Sequence, residues 1–141
     1  MDYVVDTNVL LASTQGDPEV GRAIEMLVAK EIRLCVLTQN SIELWNVCTR
    51  PLSANGFGLP TNDASERDVE FLFHRLPESD AVYDARRNLV RRHAVSGKQV
   101  HDARIAAAIG VQGIDTILTY NGRDFTRYPG ISGIHPAEVT L

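Results

Sequence analysis

The sequence predicts an α/β fold, a mostly parallel sheet covered by helices on both faces, and three observations carry that expectation. Short apolar, β-compatible runs at Tyr3-Val4-Val5, Leu34 to Leu37 and Thr116 to Thr119 alternate with longer segments of helical periodicity. Capping residues follow the early strand runs, the arrangement expected when right-handed crossovers join parallel strands. The length of 141 residues, with 44% hydrophobic and 23% charged content, fits one globular domain spanning 1–141.

The first strand ends in Asp6, followed by Thr7-Asn8 and a second apolar run, Val9-Leu10-Leu11-Ala12. A carboxylate is thereby delivered to the C-terminal edge of a buried strand, where open α/β sheets bind ligands. Asp17-Pro18 reads as an N-cap and first-turn proline opening a helix to about Lys30, with Val20, Ile24, Leu27 and Val28 on one face. After the strand Leu34 to Leu37, Thr38-Gln39-Asn40-Ser41 supplies capping side chains for a helix to about Thr49, with Glu43 in its first turns. Arg50 to Asn62 holds two prolines and two glycines and is expected to be an irregular loop. Asn62 to Phe73 returns to helix with Val69, Leu72 and Phe73 buried, and Leu76 closes a very short strand before Pro77.

Ser79 or Asp80 caps a long helix through about His93 whose solvent face carries arginines. Val100 to Gly110 is alanine-rich and strongly helix-forming, with Ala103, Ala106, Ala107 and Ile109 fit to pack closely on a sheet and Asp102 in its first turn. The strand Thr116 to Thr119 then stops just before Tyr120-Asn121-Gly122-Arg123-Asp124-Phe125, and an edge strand is expected around Ile134.

Composition narrows the function classes. No apolar stretch approaches the roughly 20 residues that cross a bilayer, and Asp2 and Asp6 sit where a secretory signal would be basic and then apolar. Cytoplasmic residence is expected. Cys35 and Cys48 lack the paired spacing of zinc or redox motifs and read as buried reduced thiols. The net charge of -4 argues against nonspecific coating of nucleic acid. Yet Arg86, Arg87, Arg91, Arg92, Lys98 and Arg104 form a local basic stretch, either a solvated helix face or a site of RNA contact.

Asp6, Glu43, Asp102 and the pair Asn121/Asp124 recur where strands end or helices begin, so the fold brings them to one rim. Each alone is explained as a helix cap or a favourable charge at a helix start. Together they are costly: two carboxylates about 4 Å apart repel by roughly 4 kcal/mol in a partly buried site. An all-oxygen donor set favours Mg²⁺ or Mn²⁺, whose bound waters and Lewis acidity suit hydrolysis of a phosphodiester. His101, adjacent to Asp102, reads either as a proton relay or, since the next residue on a helix points about 100° away, as a satisfied, partly buried histidine. Ile42, Trp45 and Cys48 at helical spacing read as core, or else as part of a dimer or partner surface.

Four motifs carry a family resemblance: Val-Val-Asp-Thr-Asn-Val-Leu-Leu at the start, Asn-Ser-Ile-Glu-Leu-Trp-Asn-Val around Glu43, Val-His-Asp-Ala-Arg-Ile-Ala-Ala-Ala around Asp102, and Ile-Leu-Thr-Tyr-Asn-Gly-Arg-Asp-Phe. In this order and spacing, over nearly the whole chain, they resemble the PIN-domain ribonucleases, especially the VapC-type toxins of prokaryotic toxin and antitoxin pairs. The resemblance implies a three-layer α/β/α fold, Mg²⁺- or Mn²⁺-dependent cleavage of RNA, a homodimer and inhibition by a cognate antitoxin protein. It makes Asp6, Glu43 and Asp102 metal-binding carboxylates, with Asn8 and Thr119 supporting them or the bound water.

The family's fourth acidic position falls at Asn121, a neutral amide, with Asp124 three residues later as a supporting group and the second metal site weakened accordingly. That departure keeps open a second reading, a catalytically silent PIN module that binds RNA or a partner protein. A third reading, an aspartate-phosphorylated phosphatase or receiver, fares poorly. The chain has Asn8 where a dehalogenase-type phosphatase wants a second aspartate, and no glycine-rich phosphate loop.

Overall fold

A computed structural model describes residues 1–61 and 72–140. The strands are β1 (Asp2–Val5), β2 (Arg33–Val36), β3 (His74–Arg75), β4 (Thr116–Leu118) and β5 (Ser132–Ile134). They pair in parallel in the order β3-β2-β1-β4-β5, with Tyr3 beside Leu34 and Val4 beside Ile117. The long helices among the described residues are α1 (Thr7–Thr14), α2 (Pro18–Ala29), α3 (Thr38–Thr49), α4 (Ala81–Arg92) and α5 (Val100–Val111).

Side chains on a strand alternate between faces, and that period divides the core in two. Val4, Cys35 and Ile117 face a cluster that includes Ala103, Ala106, Ala107 and Ile109 of α5 and Val82 of α4. Val5, Val36 and Leu118 face the other way, onto Val9 and Leu10 of α1, Val20 and Leu27 of α2, and Leu44 of α3. The result is a three-layer α/β/α sandwich, with each fully buried aliphatic side chain contributing about 1.5–3 kcal/mol. Small alanines on α5 let its backbone approach the sheet closely. No helix among the described residues is long and apolar enough to cross a membrane.

Local chemistry sets the helix starts. Asp17 Oδ1 accepts from the Val20 N–H at 3.0 Å, with Pro18 at the first helical position. Leu37 leaves the strand to become the N-cap of α3, and Asn40 Oδ1 reaches back to accept the Leu37 N–H at 3.1 Å. For α4 it is the Ser79 hydroxyl, not Asp80, that accepts the Ala81 N–H, at 3.2 Å.

Several expectations about buried faces require correction. The buried stripe of α2 is Val20, Ala23 and Leu27, and Val28, about 100° further round, is 59% exposed. Leu72 is 66% exposed because only its neighbour Phe73 enters the core ahead of β3. Val69 and the body of the expected 62–73 helix lie outside the described residues. On α3, Leu44 and Cys48 occupy the core, so Ile42 and Trp45 lie on the outer side as exposed apolar residues. His101 is exposed rather than partly buried.

Candidate functional site

The strand order reverses at the centre of the sheet: β1 leads to β2 and β3 on one side, whereas β4 and β5 lie on the other. A crevice forms outside the carboxyl ends of strands at such a switch point. Asp6 follows β1 and Thr119 follows β4, and the Asp6 N–H donates to the Leu118 carbonyl at 2.9 Å. The Thr119 hydroxyl donates to Asp6 Oδ2 at 2.8 Å, and the Thr7 N–H donates to Oδ1 at 2.8 Å. Asp6 is thus both the N-cap of α1 and a carboxylate held at the rim.

Glu43 arrives from the second turn of α3 and is held at both oxygens. The Thr7 hydroxyl donates to Oε2 at 2.7 Å and Gln39 Nε2 donates to Oε1 at 3.0 Å. Gln39 Nε2 also donates to the His101 carbonyl at 3.0 Å, joining α3 to the start of α5. Its Oε1 accepts from the Arg104 guanidinium at 3.0 Å, and the fully buried Asn40 donates to the Thr7 hydroxyl at 3.2 Å. None of these supporting roles had been read from the sequence. For Gln39 the clue is spacing, since residues four apart share a helix face.

Asp102 enters from the first turn of α5 and Asp124 from the 3₁₀ turn Gly122–Phe125. Neither carboxylate accepts a hydrogen bond from any of the described residues. Burial raises the Asp102 carboxyl to about 6, helped by the charges of Asp124, Asp6 and Glu43 in that order. Burial also raises Asp6, opposed by the Thr119 and Thr7 hydrogen bonds and assisted by Glu43 and Asp124. Asp6 and Asp102 thus both feel the charges of Glu43 and Asp124.

Asn121 is exposed, and its backbone N–H donates to the Thr119 hydroxyl at 3.0 Å. Asp124, like Glu43, raises both Asp6 and Asp102 through its charge. Asn8 lies at the same edge, its Oδ1 accepting a long 3.4 Å bond from the Tyr120 N–H. Gly133 permits the 3₁₀ turn to sit against β5: a Cβ there would lie 2.8 Å from the Gly122 Cα and 3.3 Å from Thr119 Cγ2.

The donor set fits a hard divalent ion: every candidate ligand is an oxygen, and the uncompensated negative charge is what a cation would offset. No three acidic, histidine or cysteine side chains among the described residues yet stand close enough to enclose an ion.

The expected basic stretch divides. Arg104 is committed to Gln39 and to Glu78, the latter at 3.3 Å. Arg86 lies over the Tyr83 ring at 5.4 Å. Arg87, Arg91, Arg92 and Lys98 are exposed. Arg91 and Arg92 line a depression with Asn88 and Leu89 that shares no residue with the acidic crevice. The cleft of about 150 Å³ that contains Asp102 and Asp124 is instead lined by Gln99, Tyr128, Arg123 and Arg127. A larger depression of about 480 Å³ includes Arg86 and Arg104 but none of the four carboxylates.

A doubly wound α/β fold with carboxylates gathered at its switch point defines a class of ligand- or ion-binding domains. Residues 3–131 match the PIN domain, and the chain belongs to that family. No curated protein matches it in sequence. Among solved structures it is similar to VapBC2 from Rickettsia felis bound to a promoter DNA fragment, with 18% identity, 96% of this chain and 98% of that chain covered, and a TM-score of 0.70. It is similar to VapBC-1 from nontypeable Haemophilus influenzae at 20% identity, covering 98% and 100% of the two chains with a TM-score of 0.69. DNA-bound VapBC from Salmonella typhimurium matches at 21% identity, 96% and 98% coverage, and a TM-score of 0.68. At these identities the likeness establishes the fold.

Proposed function

We propose that this PIN domain is a metal-dependent endoribonuclease, the toxin of a toxin-antitoxin pair. The observation that carries the reading is that Asp6, Glu43, Asp102 and Asp124 lie along the switch-point crevice, where the charges of Glu43 and Asp124 add to the burial that raises Asp6 and Asp102. Asp6, Glu43 and Asp102 are the ligands for Mg²⁺ or Mn²⁺, with Asp124 in a supporting role and the neutral Asn121 at the family's fourth acidic position. The bound ion supplies an activated water and neutralises charge on the scissile phosphate.

The chain's own contribution is orientation. Thr119 and the Thr7 N–H fix the two oxygens of Asp6, while Thr7 and Gln39 fix those of Glu43, so neither carboxylate has to find its rotamer when substrate arrives. The structural relatives named above are VapBC assemblies, which supports a cognate antitoxin as partner. Exposed Ile42 and Trp45 on α3 supply apolar surface for an antitoxin or for a homodimer. Cytoplasmic action on RNA completes the reading.

The test is paired. Wild type and Asp102→Asn are incubated with total RNA with Mn²⁺ or with chelator, and the cut ends are sequenced. Defined new ends only for wild type with metal are expected, and identical end maps in all arms would overturn the reading. The absence of an acid at position 121 favours a silent binding module as the second reading. Calorimetry with Mn²⁺ separates the two, because a silent module binds no ion that depends on Asp6 or Asp102.

A further inference from the structure

The substrate of this crevice is a polyanion approaching four carboxylates, and the ion they hold cannot by itself grip the neighbouring phosphates. Positive charge must therefore stand close to the acids without being consumed by them. Arg123 and Arg127 meet both conditions. They line the same cleft as Asp102 and Asp124, and neither makes an ion pair with them or with any other acid among the described residues. Both are exposed, and both flank the short segment that carries Asp124. Phe125, buried at 1%, and Tyr128, at 2%, anchor that segment in the core from either side of Arg127. The arginines thus project from a pinned backbone.

The basic stretch on α4 does not offer this. Arg91 and Arg92 line a depression that shares no residue with the cleft, and Arg104 is spent on Gln39 and Glu78. We propose that Arg123 and Arg127 form a phosphodiester clamp on the Asp102 and Asp124 side of the crevice, holding single-stranded RNA by the backbone phosphates next to the acidic centre. The inference rests on the ribonuclease reading and adds where its substrate is held.

A guanidinium fork suits phosphate oxygens, and contacts of this kind are blind to base identity. The buried ring of Tyr128 holds the segment, and its hydroxyl lies beside the Arg127 side chain.

Binding of a fluorescein-labelled oligouridylate is measured by anisotropy in chelator, where no cleavage occurs, as a function of salt. Arg123→Ala and Arg127→Ala are each expected to weaken binding roughly tenfold and to reduce the slope of log affinity against log salt by about 0.7, the value for one phosphate contact on a single strand. Arg127→Lys retains most of the slope. Arg87→Ala and Arg91→Ala shift affinity less than about twofold, the size of a weak long-range charge effect. Thermal melts that superimpose on wild type exclude misfolding as the cause. The clamp is overturned if wild type binds no RNA, or if the α4 variants rather than the clamp variants lose the slope. Slope dependence on Arg123 and Arg127 without cleavage in Mn²⁺ sustains the clamp and removes only the nuclease reading.

Discussion

On one side of the crevice Asp6 and Glu43 have all four carboxylate oxygens engaged by Thr7, Thr119 and Gln39, whereas on the other Asp102 and Asp124 accept no hydrogen bond from the described residues. The first side is built where two central strands end and is tied into buried polar groups such as Asn40. The second comes from the first turn of a helix and from a 3₁₀ turn, both nearer solvent. One half is held in place by hydrogen bonds and the other is a charged lip that makes none with the described residues. Burial raises the proton affinity of both Asp6 and Asp102; hydrogen bonds from Thr119 and Thr7 oppose it at Asp6, whereas Asp102, without one among the described residues, is raised to about 6.

The sharpest way to break this comparison is to remove charge from both halves. Asp6→Asn and Asp102→Asn are each expected to lower cleavage of a labelled RNA by roughly a thousandfold, the rate equivalent of several kcal/mol of metal-derived stabilisation. Near wild-type turnover in either variant would show that its half is not part of the centre. Next comes the scaffold of the template. Thr119→Val keeps the shape but removes the donor to Asp6, and should weaken Mn²⁺ affinity about 10–100-fold in calorimetric titration while leaving the oligomeric state unchanged.

The two halves should also part in stability. Asp6→Ala removes the α1 cap and costs about 1 kcal/mol in urea unfolding. Asp102→Asn moves the other way. Because the folded protein holds the Asp102 proton more tightly than the unfolded chain, its contribution is undiminished below about pH 4, falls as pH rises toward 6 and then stays low. In ion-free buffer at pH 7 this variant should melt about 4 °C higher than wild type, with no gain at pH 4. A lower Tm at pH 7 would mean that Asp102 makes stabilising contacts, and the contrast between the halves would disappear.

The alternation of strand runs with capped helices was legible because each element carries its own local chemistry: Asp17-Pro18 opens α2, and the alanines of α5 announce close packing. Asp6, Glu43 and Asp102 were legible because strand ends and helix starts point to one rim. Faces were harder to read, as Val28 and Leu72 show, since adjacent apolar residues on a helix compete for one stripe of core. The relative parts of Asn121 and Asp124 are not legible from spacing, because a 3₁₀ turn directs side chains that spacing alone cannot orient. Gln39 escaped notice for a different reason. Its spacing from Glu43 is a local clue, but its long-range pairing with Arg104 and His101 is encoded by no local pattern.

The central claim is that these carboxylates share one cation, and paramagnetic broadening locates that cation directly. Substoichiometric Mn²⁺ added to ¹⁵N-labelled protein should broaden the amides of Asp6, Glu43, Asp102 and Asp124 together, ahead of every other acidic residue. Broadening that spares these four, or that gathers instead around surface acids such as Asp2 or Glu19, would contradict the account.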